Sequence, residues 1–211
     1  MIEKKDQSGT VHAFSYDALG RLADDRVTAF GTSVDDRVHR IARTYEVRGM
    51  LETITSYGDE TGSSSSSSSS GNEAAVLNQV RRVYNAFGQL TAEYQEHDGP
   101  VDAQTAPAVQ YDYADGSAGH TRPTRMTYPN GRLIHTTYVT SGSTADAMGR
   151  VDAIKDNSSG SPGDSLAEYT YLGAGTIVKE DYAEPDVRLD YDSGTAGEYA
   201  GFDRFGRVVE Q

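Results

Sequence analysis

The chain has 211 residues with 36% hydrophobic side chains, 22 Gly, 14 Tyr, five Phe and no Trp, so tyrosine is the main large residue available to a core. A formal net charge of −13, with the arginines scattered among 32 acids, leaves no basic stripe and argues against nucleic-acid or anionic-membrane partners. The lack of Cys excludes disulfides, thiol catalysis and cysteine-held metals.

Aromatic rings on pleated faces and Gly at positive φ favour strands and tight turns, so an all-β fold is expected. One short motif recurs along the chain. It is Tyr16-Asp17-Ala18-Leu19-Gly20-Arg21-Leu22, then Tyr45-Glu46-Val47-Arg48-Gly49-Met50-Leu51, then Tyr84-Asn85-Ala86-Phe87-Gly88-Gln89-Leu90. Tyr128-Pro129-Asn130-Gly131-Arg132-Leu133 reads as a shortened variant, and Ala145-Asp146-Ala147-Met148-Gly149-Arg150-Val151 as a worn copy. The last copy is Phe202-Asp203-Arg204-Phe205-Gly206-Arg207-Val208.

Each copy predicts a strand, a turn and a second strand. The aromatic closes one strand, and Asp or Asn bonds its own backbone. Gly takes the positive-φ position, and the following Arg-Leu opens the next strand. Alternating flanks such as Val80-Arg81-Arg82-Val83 support a β-hairpin at each copy. Successive motif glycines lie 29, 39, 43, 18 and 57 residues apart, so loops of varied length are expected between hairpins. A serine-rich flexible loop is expected over 58–75, around the serine run 63–70, and a second over 156–165. Helical signals are thin: a single turn over 73–78 and weak periodicity over 32–43.

Tyr-Asp-x-x-Gly-Arg-Leu/Val, repeated with irregular gaps, resembles the YD repeat of bacterial Rhs proteins, Tc-toxin shell components and animal teneurins. The resemblance is carried by Tyr16, Asp17, Gly20 and Arg21, by Tyr45 and Gly49, by Tyr84 and Gly88, by Gly149 and Arg150, and by Phe202, Asp203, Gly206 and Arg207. It runs from about Tyr16 to Val208, so 1–211 is expected to form one YD-repeat region of consecutive antiparallel hairpins, a section of a shell-like barrel. The resemblance implies a non-enzymatic wall section of a bacterial shell that encapsulates or presents a toxin or adhesion domain. It also implies a secreted or cell-surface location, although Met1-Ile2-Glu3-Lys4-Lys5-Asp6 does not open a signal peptide. The implied partners are further YD repeats or other copies of the chain through edge strands, with toxin cargo or a cell-surface glycan. No apolar run reaches the roughly 18–20 residues of a membrane span. The core-closing, self-cleaving Asp-Pro segment of bacterial Rhs shells is not present, because Pro185 precedes Asp186.

Nothing in the sequence marks an active site, and no cofactor is expected. His12, His39, His97, His120 and His135 form no local ligand pair. Glu180, Asp181, Glu184 and Asp186 read as a solvated acidic loop, since a glycosidase needs two carboxylates across a sugar bond. Asp190 and Asp192, in Asp190-Tyr191-Asp192-Ser193-Gly194, are the calcium candidates, but no Glu completes an EF-hand. An alternative is a carbohydrate- or protein-binding module using exposed tyrosines and acidic loops. It predicts Tyr111, Tyr113 and Tyr171 along one exposed face, whereas the scaffold predicts Tyr16, Tyr45 and Tyr84 buried against neighbouring strands.

Overall fold

A computed structural model describes residues 2–59, 75–114, 121–139, 144–157, 162–173, 175–192, 195 and 198–209. It is all-β, with fourteen antiparallel strands and a single short helix among those residues. The chain divides into two compact units, Met1–Val109 and Gln110–Gln211.

In the first unit the strands are β1 (Ile2–Lys5), β2 (Val11–Tyr16), β3 (Leu22–Ala29), β4 (Arg40–Tyr45), β5 (Leu51–Tyr57), β6 (Val76–Tyr84) and β7 (Leu90–Glu96). The second holds most of β8 (Ala108–Tyr113), with β9 (Pro123–Thr127), β10 (Leu133–Tyr138), α1 (Thr144–Ala147), β11 (Val151–Asn157), β12 (Ser165–Leu172), β13 (Thr176–Tyr182) and β14 (Val187–Asp190). Within each unit, strands lie side by side in chain order, so each pairs with its neighbours in sequence. Such local pairing follows from hairpin turns, which can join antiparallel strands only.

Both weak helical signals are overruled. Val76, Leu77 and Asn78 open β6, and Arg40, Ile41, Ala42 and Arg43 lie in β4. Cross-strand partners on both sides outweigh a faint 3.6-residue period. The serine run 63–70 lies outside the described residues; at its flanks, the Gly58 N–H donates to the Ala75 carbonyl at 3.0 Å. Asp156 and Asn157 end β11 and Ser165 begins β12, with residues 158–161 outside the description.

The sheet is one layer thick within each unit, and few side chains are fully covered. The buried apolar residues are Ala13, Ala92, Ala153, Ala167, Val178 and Tyr191. Small residues are covered because longer neighbours on the same face lie over them. One row across the first unit is Ala13, Arg26, Arg40 and Tyr57, with the Arg40 guanidinium 4.1 Å from the Tyr57 ring centre. The next row on that face includes Asp24, Ala42, Thr55 and Gln79, where Gln79 donates to the buried Thr55 hydroxyl at 2.8 Å. The opposite face pairs His12 with Asp25 at 2.7 Å and Arg82 with Glu93 at 2.7 Å. Cross-strand pairs of this kind, rather than a dry interior, hold neighbouring strands together. The low hydrophobic fraction is therefore met by polar side chains lying flat on both faces.

Candidate functional site

The repeated hairpin end is the most elaborated feature of both units. In the first copy the Asp17 N–H donates to the Arg21 carbonyl at 2.9 Å, and the Gly20 N–H donates to the Asp17 carbonyl at 3.0 Å. Asp17 Oδ1 accepts the N–H groups of Leu19 and Arg21, each at 2.9 Å, while Arg21 Nε donates to Asp17 Oδ2 at 2.6 Å. Glu46 to Met50, Asn85 to Gln89 and Asp203 to Arg207 repeat the two backbone bonds. Asn85 shows that an amide suffices, since Oδ1 still accepts the Phe87 and Gln89 N–H groups at 3.0 Å. Asp6 closes a further turn in the same way with Gly9 and Thr10, and its Asp-x-x-Gly spacing was legible without an aromatic to mark it.

Donors from the backbone lower the carboxyl pKa. The Arg21 N–H beside Asp17 and the Arg207 N–H beside Asp203 hold those carboxyls below the usual range, and the Arg48 guanidinium does so for Glu46. A depressed carboxyl pKa contributes stability above the unfolded value, and that stability is lost as pH falls through the folded value. Thermal stability should therefore drop below about pH 4. Asp17→Asn, which copies Asn85, should fold at pH 7 and show a smaller drop in melting temperature between pH 7 and pH 3. An unchanged acid profile in Asp17→Asn would sink this account.

The aromatic pairs one residue past a bulge. Tyr16 faces Leu22, Tyr45 faces Leu51 and Tyr84 faces Leu90, and in each case the outgoing strand carries one extra residue. Three hairpins of the second unit have the same end. Tyr113 faces Pro123, Tyr138 faces Val151 and Tyr171 faces Ile177, each beside a shifted register. A contiguous heptad search misses them because the loop between aromatic and outgoing strand varies in length.

Two copies are therefore corrected. Ala145 does not stand at the aromatic position: Tyr138 does, Val139 donates to the Arg150 carbonyl, and Ala145 sits in α1 within the connecting loop. Tyr128 is not the aromatic of a shortened motif, because its N–H donates to the Arg132 carbonyl and its carbonyl accepts from Gly131, the backbone role of Asp17. A full-length turn results, with Asn130 accepting the Arg132 N–H in place of an acid.

Adjacent hairpins interlock through two side chains. The tyrosine hydroxyl donates to the carbonyl that opens the preceding outgoing strand: Tyr45 to Leu22 at 2.9 Å, Tyr84 to Leu51 at 2.8 Å and Tyr138 to Pro123 at 2.9 Å. The residue before that carbonyl lies over the next hairpin. Arg21 stands 4.2 Å from the Tyr45 ring centre, Arg122 5.3 Å from Tyr138 and Arg150 5.1 Å from Tyr171. Arg122 also donates to the Asp146 carboxylate at 3.0 Å and to the Asp146 carbonyl, and Arg150 donates to the Gly173 carbonyl.

Tyr45 and Tyr84 are half-buried, as are Tyr111, Tyr113 and Tyr171. Tyr16 is instead 47% exposed, against the expectation of burial. The reason is its neighbour: β1 pairs Ile2 with Phe14 and does not reach Tyr16, so among the described residues no preceding strand lies against the ring.

The other candidates do not converge. Asp190 is held by Arg188 at 2.6 Å and by the Asp192 N–H at 3.0 Å. Glu180 accepts the Tyr182 hydroxyl, which pushes the Tyr182 pKa up to about 12, and Asp181 lies 3.9 Å from Arg188. Among the described residues, no three His, Asp or Glu side chains group as metal ligands, and no helix is long and apolar enough to cross a membrane.

Fold and site together define an all-β protein of serially interlocked hairpins. No family model and no curated protein matches the chain. Among solved structures it is similar to a TcdB2–TccC3–Cdc42 complex, with 14% identity and a TM-score of 0.37, over 86% of this chain and 11% of that chain. It is also similar to the Tc holotoxin pore of Photorhabdus luminescens (12%, 0.36) and to a TcdB2–TccC3–TEV structure (11%, 0.32), with the same coverage of 86% and 11%. The chain thus spans about 11% of the length of these toxin-complex chains.

Proposed function

We propose that this chain is a non-enzymatic scaffold, a wall section of a secreted YD-repeat shell of the Rhs type that encapsulates or presents a toxin or adhesion domain. The observation that carries the reading is the interlock between successive hairpins. At Tyr45, Tyr84 and Tyr138 the preceding hairpin supplies a carbonyl, and arginines of the preceding hairpins cover Tyr45, Tyr138 and Tyr171, so the sheet is extended by repetition without a closed hydrophobic core. A wall needs this property, because both of its faces stay accessible while its strands remain in register.

The edges fit the same role. β1 presents Glu3, Lys4 and Lys5, all exposed, and β14 presents Arg188 and Asp190. Charges on edge strands discourage random pairing and leave joining to a specific neighbour. The test is to read the coding frame on both sides of this segment and image the whole product by electron microscopy. Further hairpin repeats, a divergent C-terminal domain and a hollow particle are the expected result. A product with no further repeats and no enclosed volume would overturn the reading.

A further inference from the structure

The covering residue is large at most hairpin junctions, and at three of them it fills the turn beneath. A Cβ built on Gly49 would stand 3.2 Å from Arg21 Nη1, one on Gly88 3.4 Å from Met50 Sδ, and one on Gly149 3.4 Å from Arg122 Nε. The final junction differs. Tyr171 faces Ile177, so the covering position there is Thr176, and the next aromatic in line is Phe202, paired with Val208. Threonine ends two bonds from its Cα and cannot span the distance that arginine spans. Among the described residues nothing lies within 4 Å of a Cβ built on Gly206, and a cavity of about 340 Å³ opens among Leu172, Thr176, Tyr199, Phe202, Asp203, Arg204 and Gly206. The Arg204 guanidinium at its margin is engaged on another ring, 4.6 Å from the Phe205 centre.

We propose that this cavity is a binding seat for a guanidinium group supplied by another molecule. The chemistry is read from the equivalent junctions, where a guanidinium lies over the aromatic ring at Tyr45, Tyr138 and Tyr171. Phe202 is the corresponding ring, lining the cavity and tilted against Tyr191 at 4.6 Å between centres. The turn carbonyl that receives Arg122 belongs to Asp146, and its counterpart is the Asp203 carbonyl, which accepts the Gly206 N–H at 2.9 Å. The Asp203 carboxylate is already taken by Arg207 Nε at 2.6 Å, so the seat selects by ring stacking and carbonyl geometry more than by net charge. A planar guanidinium meets those demands better than a compact ammonium.

The test is an NMR titration of the whole chain with argininamide, lysinamide and the peptide Gly-Gly-Arg-Gly-Gly, followed at the Gly206 and Phe202 amides. Saturable millimolar binding of argininamide is expected, with lysinamide about three- to fivefold weaker. Tighter binding of the peptide assigns the guanidinium to a polypeptide, and equal binding assigns it to a small molecule; both support the seat. Thr176→Arg should supply the group internally, abolishing the titration and raising the melting temperature. Should Thr176→Arg fail to fold, Phe202→Leu keeps the test, because loss of the ring should weaken binding about threefold or more. Shifts that never saturate, or that persist unchanged in the variants, would overturn the proposal.

Discussion

Tyr45→Ala should destabilise the protein by about 3 kcal/mol, measured by urea denaturation at pH 7. Three losses combine. A half-buried ring is removed, which contributes about 1–2 kcal/mol of packing. The hydroxyl bond to the Leu22 carbonyl goes with it, worth about 1 kcal/mol net. The Arg21 guanidinium loses its ring at 4.2 Å, a further contribution of about 0.5–1 kcal/mol. Tyr45→Phe isolates the hydroxyl and should lose only about 1 kcal/mol. Tyr16→Ala is the internal comparison, since that ring is 47% exposed and no arginine among the described residues stacks on it; its effect should stay below about 1 kcal/mol. Equal losses at Tyr16 and Tyr45 would show that the interlock contributes nothing to stability.

Gly49→Ala should be the more damaging of two matched turn substitutions. Gly49 and Gly20 both stand at positive φ, +92° and +78°, where a Cβ meets its own carbonyl and strain is about 1–2 kcal/mol. They differ in what lies above them. The new Cβ at Gly49 would meet Arg21 Nη1 at 3.2 Å, whereas that at Gly20 would meet nothing within 4 Å. Displacing Arg21 from Tyr45 adds about 0.5–1 kcal/mol to the Gly49 variant alone. Thermal melts of Gly20→Ala and Gly49→Ala should therefore differ, and adding Arg21→Ala to each should narrow the gap. Identical melts would mean that the covering side chain bears on nothing.

Fold class and much of the repeat were legible from residues alone. A glycine three positions after Asp, Glu or Asn prescribes one turn, because the acid or amide oxygen caps two N–H groups and only Gly takes the following backbone conformation freely. That local rule holds at Asp17, Glu46, Asn85 and Asp203 without reference to the rest of the chain. Alternating flanks then make the paired strands, and short turns make the pairing antiparallel.

Tertiary structure decided which aromatic belongs to which turn. Tyr138 serves the turn of Gly149 across an intervening helix, and Tyr113 and Pro123 stand ten positions apart in sequence, so no contiguous pattern announces either pair. The hydrogen-bonded register and its bulge identify both, and at Tyr138 the ring also reaches a carbonyl on the preceding hairpin. Tyr16 and Tyr45 occupy the same motif position yet differ in burial, since burial depends on the strand alongside and not on the motif itself. The sequence by itself determined the turns, whose bonds close within five residues. Only the tertiary structure decided the interlock and the cavity beside Thr176, because both depend on side chains that reach from one hairpin to the next.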